Sequence, residues 1–143
     1  KRTGCDYLGV AIGTSHGAFK FKGLPHLDIA RLKEIKSAVR VPLALHGASA
    51  VPSYIVKLGA LYGASLGKAR GNSDKEIRLA VRNGINKVNI DTDLRLAFTT
   101  GVRQALITSP KEFDPRKILK PARELMTRVV MEKIKLLGSA GKA

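Results

Sequence analysis

The sequence predicts an α/β fold with a parallel sheet, and three observations point to it. Short apolar runs alternate with segments of helical periodicity, in the order strand, helix, strand, helix, helix, strand, helix, helix. Roughly thirty to forty residues separate successive strands, which is the length of a right-handed crossover between parallel strands. Each strand also ends in polar side chains, and consecutive strand ends that converge on one place favour a TIM (β/α)8 barrel over an open sheet.

Three short runs predict strands, and the first two are continuous apolar runs that indicate strands buried in the sheet, the first of them on both faces. Continuous apolar runs, as opposed to alternating ones, are typical of strands inside a parallel sheet. The first run ends in Gly13, the second begins beside Pro42, which is tolerated near a strand start, and the third is followed by an acidic segment. The predicted strands are residues 6–13, 41–47 and 85–90.

Capping residues mark where the predicted helices begin. Asp28 can cap the first helix, and Ser73 with Glu76 forms a capping box. Asp91 and Asp93 suit the positive N-terminus of a later helix. The predicted helical segments are residues 29–39, 51–63, 73–84, 91–108, 114–119 and 121–137.

Charge is the unusual feature of the composition. The 143 residues include 26 Lys and Arg against 11 Asp and Glu, a formal net charge of +15, which attracts polyanions. Aromatic residues make up only 5% and Trp is absent, so base-stacking platforms and nucleic-acid recognition are not expected. A phosphorylated metabolite is an equally suitable anion. A third interpretation is that the chain is one basic piece of a larger, better balanced protein.

Cysteine content and apolar run length bound the class of protein. The single cysteine, Cys5, excludes an internal disulfide and a thiolate metal cluster, and we expect it to be buried in the first strand. No run approaches the ~18 apolar residues of a membrane span, and none resembles a signal peptide. We therefore expect a soluble, cytoplasmic protein that does not bind membranes. A three-stranded parallel sheet would expose two edges, so we also expect a missing part of the fold on the N-terminal side.

Two histidines follow neighbouring strands and are candidates for a metal site. His16 follows the first predicted strand and His46 lies at the end of the second, and neutral imidazole is a good metal ligand. A catalytic zinc usually has three protein ligands, so two interpretations stay open. Either a further ligand comes from elsewhere, or these are hydrogen-bonded or catalytic histidines. His26, beside Pro25, is expected to be a solvated histidine.

Two predicted helix starts are candidate phosphate sites. Gly47-Ala48-Ser49 and Asp91-Thr92 would gather backbone N–H groups at positive helix ends, and Lys20 could reach in from the first loop. The alternative is that Gly47 and Ser49 only form a tight turn and a cap. Asp91 fits a substrate hydroxyl better than an anion.

Four stretches, in order, resemble the class II, metal-dependent fructose-1,6-bisphosphate aldolases: VAIGTSHGAFKFKG, VPLALHGASAVP, KVNIDTDLRLAFT and EFDPRKILKPARELM. The resemblance covers essentially all 143 residues. It implies that residues 1–143 are the C-terminal part of a single (β/α)8 barrel domain, about three βα units plus C-terminal helices. The family has a longer chain, and its third metal histidine and proton-transfer acids lie in an N-terminal half that is not in this sequence.

The implied reaction is the reversible, zinc-dependent cleavage of fructose 1,6-bisphosphate to dihydroxyacetone phosphate and glyceraldehyde 3-phosphate, a step of glycolysis. The isolated fragment is expected to be inactive without the N-terminal half. Tagatose-bisphosphate aldolases share most of the four motifs and are an alternative. A non-catalytic basic fragment that binds polyanions is another.

The resemblance also implies roles for individual residues. Asn89 would be the catalytic residue of this chain, because its amide would stabilise the enediolate. The implied zinc ligands are His16 and His46. The implied substrate-binding residues are Gly17, Lys20, Gly47, Ser49, Asn89, Asp91, Thr92, Arg95 and Arg116. Arg116 would reach a neighbouring subunit's site in a homodimer or homotetramer, and carbonyls around Gly17 and Gly47 would help hold a monovalent cation, Na⁺ or K⁺.

Overall fold

The predicted parallel α/β architecture is confirmed in a computed structural model, which describes residues 3–13, 26–65 and 71–142. Within these ranges three strands form one sheet in the order β1-β2-β3, and both neighbouring pairs are parallel. The strands are β1 (Leu8–Val10), β2 (Leu43–Leu45) and β3 (Ile85–Val88). The helices are α1 (Ile29–Ala38), α2 (Ser53–Leu61), α3 (Asp74–Arg82), α4 (Thr92–Thr108), α5 (Pro115–Ile118) and α6 (Lys120–Leu136).

The chain divides into two compact units. Unit 1 consists of Lys1–Ala50 and Arg70–Ile90, and it contains the sheet with α1 and α3. Unit 2 consists of Val51–Ala69 and Asp91–Ala143, and it contains α2, α4, α5 and α6. The membership of the three strands in a closed barrel stays a prediction.

Unit 1 is organised around β2, the middle strand of the sheet. All three residues of β2 are fully buried, as its continuous apolar run predicts. Leu43 pairs with Leu8 on one side and with Ile85 on the other, and the pairing with β3 shifts register between Leu43 and Ala44. The sheet therefore has its apolar centre at β2.

Strand β1 and Cys5 depart from the sequence prediction. Burial on both faces is wrong for β1, because Leu8 and Gly9 are exposed, and Lys87 of β3 is exposed as well. Each outer strand has one hydrogen-bonded neighbour in the described sheet, so less of its surface is covered than for β2. Cys5 is exposed and precedes β1, so its predicted burial in that strand is also wrong.

The two predicted side-chain caps of unit 1 are confirmed. An oxygen of Asp28 accepts a hydrogen bond from the backbone N–H of Arg31 at 2.8 Å and begins α1. Ser73 and Glu76 form the capping box of α3, with the Ser73 backbone N–H 3.0 Å from the Glu76 carboxylate. The other carboxylate oxygen of Glu76 accepts from the backbone N–H of Leu27 at 3.1 Å, so one side chain holds two segments of the unit.

Unit 2 packs three helices around a small apolar cluster. Its fully buried members come one each from α2, α4 and α6, namely Ile55, Ala97 and Val129. Gly101 lets α4 and α6 approach closely, because a Cβ there would lie 2.3 Å from the backbone of Ala122. None of the helices in the described ranges combines the length and apolar character needed to cross a bilayer.

Candidate active site

The predicted site residues fall into three groups. His16, Gly17 and Lys20 lie outside the described residues. In unit 1 the described site residues are His46, Gly47, Ser49 and Asn89. In unit 2 they are Asp91, Thr92, Arg95 and Arg116.

The ends of β2 and β3 bring His46 and Asn89 into contact. Each residue comes directly after the last residue of its strand. The Asn89 backbone N–H donates to the Leu45 carbonyl at 3.0 Å, which continues the pairing of the two strands beyond β3. The Asn89 amide nitrogen lies 3.0 Å from Nδ1 and 3.3 Å from Nε2 of His46. One amide nitrogen cannot align with the lone pairs of both ring nitrogens, so it makes one of these hydrogen bonds at a time. The two residues form the polar end of the sheet.

Two neighbours position this pair, and the sequence prediction missed both. Lys87 donates a hydrogen bond from Nζ to Oδ1 of Asn89. Because an ammonium group can only donate, this contact orients the amide with its nitrogen toward His46. A Cβ on Gly9 would lie 3.0 Å from Cδ2 and Nε2 of His46, so the glycine leaves space for the imidazole over β1. The contact between Lys87 and Asn89 could have been predicted from the sequence. The two residues are two positions apart, and this spacing places them on one face of a strand.

The loop after β2 differs from its prediction. The sequence predicts that Gly47, Ala48 and Ser49 open a helix, but α2 begins only at Ser53. The chain instead bends at Gly47 and continues as a loop through Ser49. Gly47 has φ of +64°, a conformation that favours glycine. The buried Asn72 donates from its side chain to the Gly47 carbonyl at 3.4 Å and from its backbone to the Ser49 carbonyl at 3.2 Å. No sequence pattern around Asn72 indicates that it contacts this loop.

The predicted helix start at Asp91 and Thr92 is confirmed. Asp91 is the N-cap of α4, and its carbonyl accepts from the backbone N–H groups of Leu94 and Arg95, each at 3.0 Å. The Asp91 carboxylate also accepts from Nε of Arg95 at 2.8 Å. Two residues that the resemblance assigns to substrate therefore pair with each other in this structure.

Behind this turn lies a buried ion pair. Asp93, in the first turn of α4, is fully buried, and its carboxylate lies 3.0 Å from Nζ of Lys133 on α6, which is also buried. The sequence prediction treated Asp93 only as a favourable charge at a helix N-terminus and did not single out Lys133. The structure gives Asp93 a long-range partner.

Arg116 lies at the start of α5 with a highly exposed side chain. Its Nε and Nη2 donate to Oδ1 and Oδ2 of Asp114 at 3.0 and 2.8 Å. The hydrogen bonds from Arg116 hold the pKa of Asp114 below its ordinary value, and the same contact raises the pKa of Arg116. Arg116 is a cation at any physiological pH, and Asp114 holds its guanidinium in one orientation.

Of the two histidines that the sequence predicts as metal ligands, His46 lies in the described part of the chain. In residues 3–13, 26–65 and 71–142, no three His, Cys, Asp or Glu side chains are grouped closely enough to hold a metal ion. His26 is exposed, as predicted, and its Nδ1 lies 3.3 Å from the Glu76 carboxylate. An imidazole at a strand end, with room over Gly9, suits the donor chemistry of a zinc ligand, so His46 fits the metal that the resemblance implies.

The described residues form a parallel α/β sheet with a histidine and an amide in contact at adjacent strand ends, and comparison with known proteins identifies the family. The family model described as "Fructose-bisphosphate aldolase class-II" matches residues 1–142. The chain belongs to this family.

Individual relatives agree with this assignment. The chain is 54% identical to the fructose-bisphosphate aldolase of Thermus caldophilus, with all of this chain and 47% of that protein covered. It is 49% identical to the fructose-bisphosphate aldolase of Helicobacter pylori, with 99% of this chain and 46% of that protein covered. The crystal structure of the YdjI aldolase from Escherichia coli K12 superposes with a TM-score of 0.70 at 35% identity, covering 99% of this chain and 43% of that one. The chain thus spans about half the length of the curated relatives it matches.

Proposed function

We propose that this chain supplies the C-terminal part of a (β/α)8 barrel aldolase. The complete protein cleaves fructose 1,6-bisphosphate reversibly to dihydroxyacetone phosphate and glyceraldehyde 3-phosphate. The observation that carries the proposal is the contact between His46 and Asn89 at the ends of β2 and β3, with the amide nitrogen 3.0 Å from Nδ1. The relatives named fructose-bisphosphate aldolase support the choice of substrate. In this proposal an N-terminal half completes the barrel and supplies the proton-transfer acids.

The metal is zinc in this proposal. His46 and His16 would be two of its ligands, and a third histidine would come from the N-terminal half. When bound, zinc supplies Lewis acidity toward the substrate ketone. The chain's own part is orientation: Gly9 leaves room for the His46 ring, and Lys87 holds the Asn89 amide toward it.

Asn89 is the catalytic residue of this chain in the proposal. Its amide nitrogen faces His46 while its amide oxygen accepts from Lys87, so the donor is oriented before substrate arrives. An oriented donor stabilises a developing oxyanion without reorganising at the moment of reaction. A zinc-bound imidazole has no lone pair left to accept from the Asn89 amide, so the amide N–H would be free to donate to the enediolate oxygen.

The remaining residues bind the two phosphates and a hydroxyl. Dihydroxyacetone phosphate would contact Gly17, Lys20, Gly47, Ser49, Asp91 and Thr92. The backbone N–H groups at the start of α4 suit an anion, and the Asp91 carboxylate would accept from a substrate hydroxyl. Arg95 and Arg116 would meet the far phosphate, since a guanidinium can donate two parallel hydrogen bonds to a phosphate. Carbonyls around Gly17 and Gly47 would hold Na⁺ or K⁺.

Arg116 would act in the site of a neighbouring subunit, so the protein would be a homodimer or homotetramer, in the cytoplasm. The exposure of Arg116 and its fixed geometry on Asp114 support this role. Its guanidinium is positively charged at physiological pH, and the contact with Asp114 raises its pKa further. Membrane and nucleic-acid partners form no part of the proposal.

The test is aldol cleavage by the full-length protein that carries this sequence. Triose phosphate release from fructose 1,6-bisphosphate is measured before chelation, after chelation and after zinc is restored, with tagatose 1,6-bisphosphate in parallel. We expect activity that chelation abolishes and zinc restores, with fructose 1,6-bisphosphate preferred. Activity unchanged by complete metal removal would refute the metal-dependent mechanism. A preference for tagatose 1,6-bisphosphate would identify the protein as a tagatose-bisphosphate aldolase. Salt-sensitive DNA binding without cleavage would favour a basic binding module.

A further inference from the structure

The most unusual polar feature outside the residues that would touch substrate is the ion pair of Asp93 and Lys133. Both side chains are almost wholly removed from solvent, 0% and 8% exposed, and Nζ lies 3.0 Å from Oδ2. Taking two charges out of water costs several kcal/mol per ion, which their attraction only partly offsets. A buried pair of this kind is therefore weak support for a purely stabilising role.

The two charges also lie where apolar residues are expected. On α4, Asp93 shares a buried face with Ala97 and Thr100, four and seven residues on. On α6, Lys133 shares a buried face with Val129, four residues before it. Each helix thus has one charge of opposite sign on its inward face, and the two meet. The pair fixes the register of α4 against α6, because only one alignment of the two helices brings the charges together.

The position of Asp93 in α4 connects this pair to the site. Asp93 lies in the first turn, between Thr92 and the residues whose backbone N–H groups bond to the Asp91 carbonyl. A shift of Asp93 would move the N–H groups and the Asp91 carboxylate of the same turn. Resting on the proposed function above, we infer that Lys133 is a positioning residue: through Asp93 it holds the first turn of α4 in place to receive a substrate phosphate.

This role predicts a particular kinetic signature. The phosphate is distant from the reacting carbon and keeps its contacts in both ground and transition states. Loss of such uniform binding raises KM and leaves kcat unchanged. We expect KM for fructose 1,6-bisphosphate to rise about tenfold, the equivalent of roughly 1.4 kcal/mol, when the turn is no longer held.

The test uses the full-length protein and separates the charge pair from the fold. The double variant Asp93→Leu with Lys133→Met replaces both charges by apolar side chains of similar shape, which is often neutral for stability. Lys133→Arg keeps the charge, and Lys120→Met removes an exposed lysine from the same helix as a matched control. For each protein we measure thermal unfolding, KM, kcat and hydrogen exchange at the backbone amides of residues 92–95.

The double variant should fold, exchange these amides faster than wild type, and show the higher KM with kcat retained. Lys133→Arg and Lys120→Met should match wild type in KM and exchange. Three results would overturn the inference: wild-type KM and exchange in the double variant, its failure to fold, or a change in Lys133→Arg as large as in the double variant. If the wild-type protein does not cleave the bisphosphate, the proposed function fails, and the exchange at residues 92–95 alone decides whether Lys133 holds the turn.

Discussion

Unit 1 and unit 2 place their polar side chains in opposite ways. In unit 1, β2 is wholly apolar and the chemically capable groups, His46 and Asn89, come where the chain leaves the sheet. In unit 2 two charges lie inside, as the pair of Asp93 and Lys133. A strand end delivers a polar group to the surface without burying it. A helix packed along its length can bring a charge inward only with a partner, because an uncompensated buried charge is very costly.

The contrast teaches which substitutions should affect chemistry and which should affect the fold. Polar residues at the strand ends of unit 1 carry little packing, so their loss should reduce activity and leave stability nearly unchanged. Substitutions in the close helix packing of unit 2 should instead reduce stability and leave the activity of the folded protein nearly unchanged. The two units can therefore be compared by measuring activity and unfolding for the same variants.

The largest expected effect is the loss of activity on removing His46. In the full-length protein, His46→Ala should lower kcat/KM for fructose 1,6-bisphosphate at least about a thousandfold, because a Lewis-acid metal contributes several kcal/mol to the transition state. With metal removed from both proteins, thermal unfolding should change little, since the ring lies at a strand end and is only half-buried. Measured zinc content should fall as well.

His26→Ala is the matched control, because this exposed histidine lies in the same unit and contacts Glu76. It should retain zinc and activity. A His46→Ala protein that keeps both would contradict the role of His46 and remove the contrast between strand ends and packed interiors.

The next effect is on stability and belongs to unit 2. Gly101→Ala should destabilise the full-length protein by about 1–3 kcal/mol, the cost of overpacking a close contact. The added Cβ would lie 2.3 Å from the Ala122 backbone, which no side-chain movement can relieve. Thr99→Ala, at an exposed position on the same helix, is the control and should change stability by less than about 0.5 kcal/mol. Urea unfolding gives both values, and equal stability of the two variants would show that the helices can separate at no cost.

The features that could be predicted from the sequence depend on neighbours in the chain. Two examples are the capping box of Ser73 with Glu76 and the cap at Asp28. Each cap accepts a hydrogen bond from a backbone N–H group three residues along the chain, so the spacing alone specifies it. The buried strand β2 could be predicted for the same reason, because a short continuous apolar run is typical of a strand inside a parallel sheet. His46 was recognised as a candidate because it directly follows such a run.

The features that were missed or wrong depend on the rest of the fold. Burial of β1 and of Cys5 requires covering layers that their own residues do not encode, and Leu8, Gly9 and Cys5 proved exposed. Lys133 and Asp93 are forty residues apart, and each resembles a solvated charge when considered alone. A signal existed, since Lys133 lies four residues from the buried Val129, but a charge on an apolar face can also lie at the edge of that face. Only the structure shows which partner it has.

The smallest expected effect sharpens the comparison from the side of unit 1, and it depends on pH. Glu76 is a charged side chain with a structural role in unit 1. Its carboxylate accepts from Ser73 and from the Leu27 backbone, and it lies near His26. Burial, the largest influence, raises the pKa of Glu76, but hydrogen bonds from Ser73 and Leu27 together with His26 outweigh it. The net pKa lies below the ordinary 4.5.

Because the pKa of Glu76 is lower in the folded state, the ionised carboxylate stabilises the fold above about pH 4.5, and this stabilisation is lost as pH falls through the lowered pKa. Glu76→Gln in the full-length protein should therefore cost about 1 kcal/mol at pH 7, typical of a weakened cap. The difference from wild type should shrink progressively below pH 4.5, since protonation makes Glu76 resemble the amide. Glu34→Gln is the control at pH 7 and at pH 3. Glu34 forms an exposed ion pair with Arg31 that contributes little, so this variant should match wild type in stability. A Glu76→Gln deficit that persists undiminished at pH 3 would mean that the side chain acts through its shape and not its charge, and unit 1 would then depend on packing as unit 2 does.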